Sequence, residues 1–118
     1  MIILNHKDIP SIHLINVDNI YDIKKTEPNS VIMFDYKIDL VKHCYYNDIP
    51  YAVKINSIKE AIFANNLNAK YIISEQPLAI KLQPIVQNYL FDSKNIAQIE
   101  SEDQIELLAL KEIDGVIL

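Results

Sequence analysis

The chain has 118 residues, half of them hydrophobic, and a formal net charge of −5, which is the composition of one globular domain spanning residues 1–118. It contains 22 Ile and 11 Lys but no Arg, and its one glycine is Gly115. Phosphate-binding loops and dinucleotide fingerprints need several glycines within a short span, so both are excluded. Because the chain is acidic and has no Arg, we expect no nucleic-acid partner and no binding to a membrane surface.

The sequence carries no sign of secretion. Cys44 is the single cysteine, so no internal disulfide can form. The first residues lack the basic region and the apolar core of a signal peptide, and no apolar run reaches the length of a membrane span. We therefore expect a cytoplasmic protein.

In chain order, short apolar runs rich in β-branched residues alternate with segments of helical spacing. The runs predict strands over residues 11–16, 31–35, 51–56, 70–74, 95–100 and 115–118, with residues 2–4 as a candidate seventh, edge strand. The helical spacing predicts helices within residues 18–26, 40–45, 58–62, 78–89 and 105–113. Pro84 lies inside the fourth of these helices and should kink or divide it.

Parts of the chain are similar to each other. Residues 8–16 match residues 48–56 at five of nine positions, and residues 53–74 align without gaps with residues 97–118. In the second pair, Ser57 and Ser101 each follow a predicted strand and have Glu or Gln three residues later, the pattern of a helix-capping box. We interpret these similarities as an internal repeat of strand–helix units about 20 residues long.

This alternation predicts an α/β fold. The strands are continuously apolar, which indicates a sheet covered on both faces. We expect a three-layer sandwich with a mostly parallel sheet of about six strands. A partial β/α-barrel-like arrangement is the alternative. Gly115 is expected at the turn after the last helix, and Asn68 is expected to take the left-handed role at the matching turn of the similar segment, residues 53–74.

Candidate ligand-binding residues follow from the rule that ligands of parallel sheets bind at the carboxyl ends of the strands. The polar residues at or next to those ends are Asp35, Lys54, Asn56, Ser57, Ser74, Glu75, Glu100 and Ser101. In the simplest interpretation most of them cap helices and no cofactor or metal is bound. In the alternative, the carboxylates of Asp35, Glu75 and Glu100 hold Mg²⁺ and Lys54 neutralises an anionic substrate.

The adjacent pair His43-Cys44 is a poor candidate for nucleophilic catalysis. Neighbouring helical residues point about 100° apart, and Cys44 shares an apolar stripe with Leu40 and Val41. A buried structural thiol is the expectation.

The absence of catalytic motifs favours a small non-catalytic module that acts by binding or self-association. A homo-oligomer is expected, because Leu107 and Leu110 widen the apolar arc of the last helix beyond what one core needs. The alternative is a small metal-dependent enzyme or small-ligand binder that uses the strand-end carboxylates.

Overall fold

A computed structural model describes residues 1–26 and 29–118. The strands are β1 (Ile2–Leu4), β2 (Leu14–Asn16), β3 (Val31–Asp35), β4 (Tyr51–Lys54), β5 (Tyr71–Glu75), β6 (Lys94–Gln98) and β7 (Gly115–Ile117). The helices are α1 (Ile20–Ile23), α2 (Ile38–Tyr46), α3 (Ile58–Asn66), α4 (Gln76–Asn88) and α5 (Ile105–Leu110), the last preceded by a 3₁₀ turn at Glu102–Gln104.

The seven strands form one sheet in the order β1-β7-β6-β5-β4-β3-β2, and every neighbouring pair is parallel. The α/β class and the parallel sheet are therefore confirmed, and residues 2–4 do form an edge strand. From β2 to β7 each strand pairs with the next one along the chain. Successive right-handed crossovers of this kind place all the connecting helices on the same face of the sheet.

The apolar clusters show this one-sided arrangement. Two clusters combine helix residues with strand residues such as Phe34, Val53 and Val116. A third cluster contains strand residues of the opposite face, such as Met33 and Ile73, and no helical residue. The sheet curls around this third cluster into a half barrel, so the arrangement is that of the barrel-like alternative and not of a flat three-layer sandwich.

A strap, residues 5–13, covers part of the inner, concave face. It joins β1 at one edge of the sheet to β2 at the other, and its Ile12 packs against the inner cluster. Nε2 of His6 lies 2.8 Å from Oε2 of Glu102, while Nδ1 accepts a hydrogen bond from the backbone N–H of Asp8. The hydrogen bond from His6 lowers the pKa of the Glu102 carboxyl. The strap thus covers part of the face that carries no helices within the described ranges.

Helix α4 runs unbroken through Pro84, so the predicted division does not occur. Pro84 lies on the exposed side of α4. On the opposite side of α4, the buried Asn95 amide donates to the carbonyl of Ala79 and to Oε1 of Gln83. Gln83 and the backbone N–H of Asn95 both donate to the carboxylate of Asp114. These bonds fix α4 over β6.

Four helix–strand turns use the same backbone bonds. After α2, α3, α4 and α5 a residue with positive φ donates to the carbonyl three residues before it, and the next residue donates to the carbonyl five residues before it. This is the Schellman ending, with an apolar residue in the last position. The four positive-φ residues are Asp48, Asn68, Leu90 and Glu112. The role of Asn68 is confirmed, whereas Glu112 takes the role expected of Gly115.

Gly115 is required for a different reason. It lies in β7 with a negative φ, between β1 and β6. A Cβ atom at this position would lie 2.7 Å from the carbonyl oxygen of Ile2 and 2.7 Å from Cδ1 of Ile96. Glycine therefore allows close packing between β7 and its neighbours β1 and β6 and is not needed for a turn.

Replacing Gly115 by Ala is expected to lower the free energy of unfolding by about 1–3 kcal/mol, because the backbone of β1 must move to admit the methyl group. Urea denaturation measures the change. Glu112→Gly is the control, and it should leave the stability nearly unchanged because it relieves a positive φ. Equal stability of Gly115→Ala and the wild type would contradict the packing role.

Candidate functional site

Inward-facing side chains at the carboxyl ends of four neighbouring strands form one cleft. Asp35, Lys54, Glu75 and Gln98 are the last residues of β3, β4, β5 and β6. Each lies two residues beyond a member of the inner apolar cluster, and side chains two apart point to the same face of a strand. All four side chains therefore project from the concave face, at the rim formed by the carboxyl ends of the strands.

The cleft has a volume of about 460 Å³ and combines charged, amide and apolar groups. Its lining residues are Asp35, Lys54, Ile55, Asn56, Ile73, Glu75, Pro77, Leu78 and Gln98. Pro77 and Leu78 come from the first turn of α4 and form an apolar wall. A second cavity adjoins the first, with which it shares Glu75, Pro77 and Gln98. The volume lies within the range of small-molecule sites.

The charges of the cleft are not neutralised by each other. Asp35 and Lys54 are register partners on adjacent strands, and Glu75 lies on the next strand, two residues beyond the partner of Lys54. Within residues 1–26 and 29–118, none of the three forms an ion pair shorter than 4.0 Å. The Lys54 side chain is half-buried, whereas both carboxylates are exposed. The charged groups are free to bind a ligand.

Helix capping accounts for two candidate residues. Oγ of Ser57 accepts from the backbone N–H of Glu60, and Oγ of Ser101 accepts from the backbone N–H of Asp103. Glu75 occupies the N-cap position of α4, but in the described part of the chain its side chain makes no capping bond. Asp35 lies two residues before the N-cap of α2, which is Lys37. Capping therefore does not explain the two carboxylates of the cleft.

The remaining candidates lie elsewhere. Ser74 is buried on the helix-facing side of β5, and within the described residues its hydroxyl has no hydrogen-bond partner. Glu100 lines the second cavity and not the first. Asp35, Glu75 and Glu100 are therefore not brought to one point, and the described ranges contain no group of three His, Cys, Asp or Glu residues that could hold a metal ion.

Gln98 is a lining residue that the sequence interpretation missed. The apolar pattern extends through Ile99, so the predicted strand ended at Glu100, whereas β6 ends at Gln98. The signal that identifies Gln98 is the alternation of side chains, since Ile96 belongs to the inner cluster and Gln98 lies two residues further along the strand.

The expectation of a structural thiol agrees with the position of Cys44 in α2. The side chain is buried in the core cluster with Leu40 and Val41. Burial raises the pKa of the thiol to about 12. Because the thiolate is the reactive species, this environment suppresses nucleophilic chemistry.

In native buffer at neutral pH, Cys44 should react with a disulfide reagent only as fast as the protein unfolds. The raised pKa leaves roughly a thousandfold less thiolate than in the unfolded chain. Absorbance of the released thiol, with and without urea, measures the two rates. Equal rates in both conditions would show that Cys44 is accessible.

Comparison with protein-family models gives no match, and comparison with curated proteins gives none either. The interpretation of the cleft therefore rests on its own residues. No helix in the described ranges has both the length and the apolar character needed to cross a membrane.

Proposed function

We propose that this protein is a non-catalytic binding module that holds a small polar molecule in the cleft at the carboxyl ends of β3–β6. The observation that carries the proposal is a set of charges on three neighbouring strands, Asp35, Lys54 and Glu75, which face one cavity and form no ion pair within the described residues. In the described ranges neither carboxylate caps a helix, so all three charged groups can contact a ligand.

The chemistry of the cleft indicates how a ligand would be held. The Lys54 ammonium offers three donors to an anionic group, and the carboxylates of Asp35 and Glu75 accept from a cationic or hydroxyl group. The amides of Asn56 and Gln98 can donate and accept at the same rim. Below them the apolar interior is filled by buried side chains such as Ile73 and Ile96, so the ligand stays at the rim.

Equilibrium dialysis against a mixture of polar metabolites, freed of macromolecules, tests the proposal. Mass spectrometry should find one or more compounds enriched on the protein side. Lys54→Met should lower the enrichment of an anionic compound about tenfold, because a hydrogen bond to a charged group is lost.

The matched control is Lys94→Met. Lys94 is at the opposite end of the strands, outside the cleft, so its removal should leave the enrichment unchanged. No enrichment by the wild type, or equal losses in the two lysine variants, would refute the proposal.

Self-association is the second candidate function, and the surface of α5 favours it. Leu107 and Leu110 are three residues apart on the helix and are 53% and 81% exposed. Residues with this spacing lie on one face and form an apolar patch that a second copy could cover.

If that patch is an interface, sedimentation velocity at micromolar concentration should show a dimer or larger assembly for the wild type. Changing both leucines to Lys should give a monomer, since two charges would then be buried without partners. A wild type that sediments as a monomer would exclude this function at that concentration.

A further inference from the structure

We propose that the ligand is an α-amino acid with a second, basic group on an aliphatic side chain. This inference rests on the proposed function, because it names the class of molecule that the cleft would bind. It is argued from the order, the spacing and the surroundings of the three charged residues.

The order of the charges is negative, positive, negative across three adjacent strands. Asp35 on β3, Lys54 on β4 and Glu75 on β5 all project from the inner face. Two carboxylates and one ammonium leave the cleft with one uncompensated negative charge. A ligand that pairs with every group therefore carries two cationic groups and one anionic group.

The spacing of the charges distinguishes the two cationic groups. Asp35 and Lys54 are register partners, so their backbones are about 4.8 Å apart. Asp35 is thus the carboxylate directly beside Lys54 in the sheet, and we assign it to the ammonium on the same carbon atom as the carboxylate of the ligand. Glu75 is on the next strand, β5, two residues beyond the register partner of Lys54. Its backbone is therefore about 8 Å from that of Lys54. We assign Glu75, the carboxylate further from Lys54 in the sheet, to the cationic group at the end of the side chain of the ligand.

The surroundings suit the chain that would link the two ends of the ligand. The first turn of α4 contributes Pro77 and Leu78 to the wall of the cleft beside Glu75. An aliphatic chain packs favourably against these residues, whereas a sugar or a second acidic group does not. A dicarboxylate is further disfavoured because its second acid would face Glu75.

Isothermal titration calorimetry with L-lysine, L-ornithine and L-arginine tests the proposal. Two matched ligands remove one group each: L-norleucine lacks the side-chain amine, and cadaverine lacks the carboxylate. At least one basic amino acid should bind the wild type about tenfold more tightly than either matched ligand, since one charged hydrogen bond is missing in each.

Two variants test which residue of the cleft binds which charged group of the ligand. Glu75→Gln should weaken the basic amino acid about tenfold and leave norleucine unchanged, whereas Lys54→Met should reduce its affinity to that of cadaverine. Glu106→Gln, on the exposed surface of α5, is the control for Glu75 and should change neither affinity.

Equal binding of the basic amino acids and norleucine by the wild type would overturn the inference, as would an equal loss of both ligands in Glu75→Gln. If dialysis shows Lys54-dependent enrichment of another class of compound, this inference fails while the proposed function stands. If no compound is enriched, both fail.

Discussion

The structure depends on one topological constraint, which is that the chain moves across the sheet in a single direction. Each strand from β2 to β7 pairs with the next, and right-handed crossovers then place every helix on the same face. Within the described ranges no helix covers the other face, yet its buried side chains are also apolar. Curling of the sheet buries them, and the strap between the two edge strands closes part of the remaining opening.

The cleft is a consequence of this curvature. In a curled parallel sheet the inward-facing residues beyond the last buried layer converge on one rim. The rim receives the carboxyl ends of all the strands, where side chains are no longer needed for packing. Asp35, Lys54 and Glu75 occupy these positions, and their charges remain unpaired within the described ranges. The fold thus separates a stabilising interior from a rim that is available for recognition.

Much of this arrangement could be predicted from the sequence, since the positions and types of the elements follow from apolar spacing and capping residues. The curvature could not, because it depends on crossover handedness and on the strap, which are properties of the whole chain. Gly115 shows the same limit. Its place after the last helix suggested a turn, but contacts with Ile2 and Ile96, distant in sequence, determine its role.

The residues of the candidate site could be predicted only as accurately as the carboxyl ends of the strands. Asp35, Lys54, Asn56 and Glu75, which the rule for strand ends selects, line the cleft. Ser74 does not, because adjacent residues of a strand point to opposite faces. The predicted strand extends two residues beyond the end of β6, so Glu100 was selected as a candidate and Gln98 was not. Glu100 lines the neighbouring cavity. Side-chain alternation counted from the buried layer, and not the end of an apolar run, identifies such residues.

Mapping of backbone amide chemical shifts by NMR during titration with polar metabolites tests the central claim most directly. If the rim of the half barrel is the binding site, saturable shift changes should concentrate at residues 35–36, 54–56, 75–76, 78 and 98, and Lys54→Met should need about tenfold more ligand to reach saturation. Saturable changes centred on α5 or on the amino ends of the strands, or no saturable change at all, would contradict the assignment of function to this cleft.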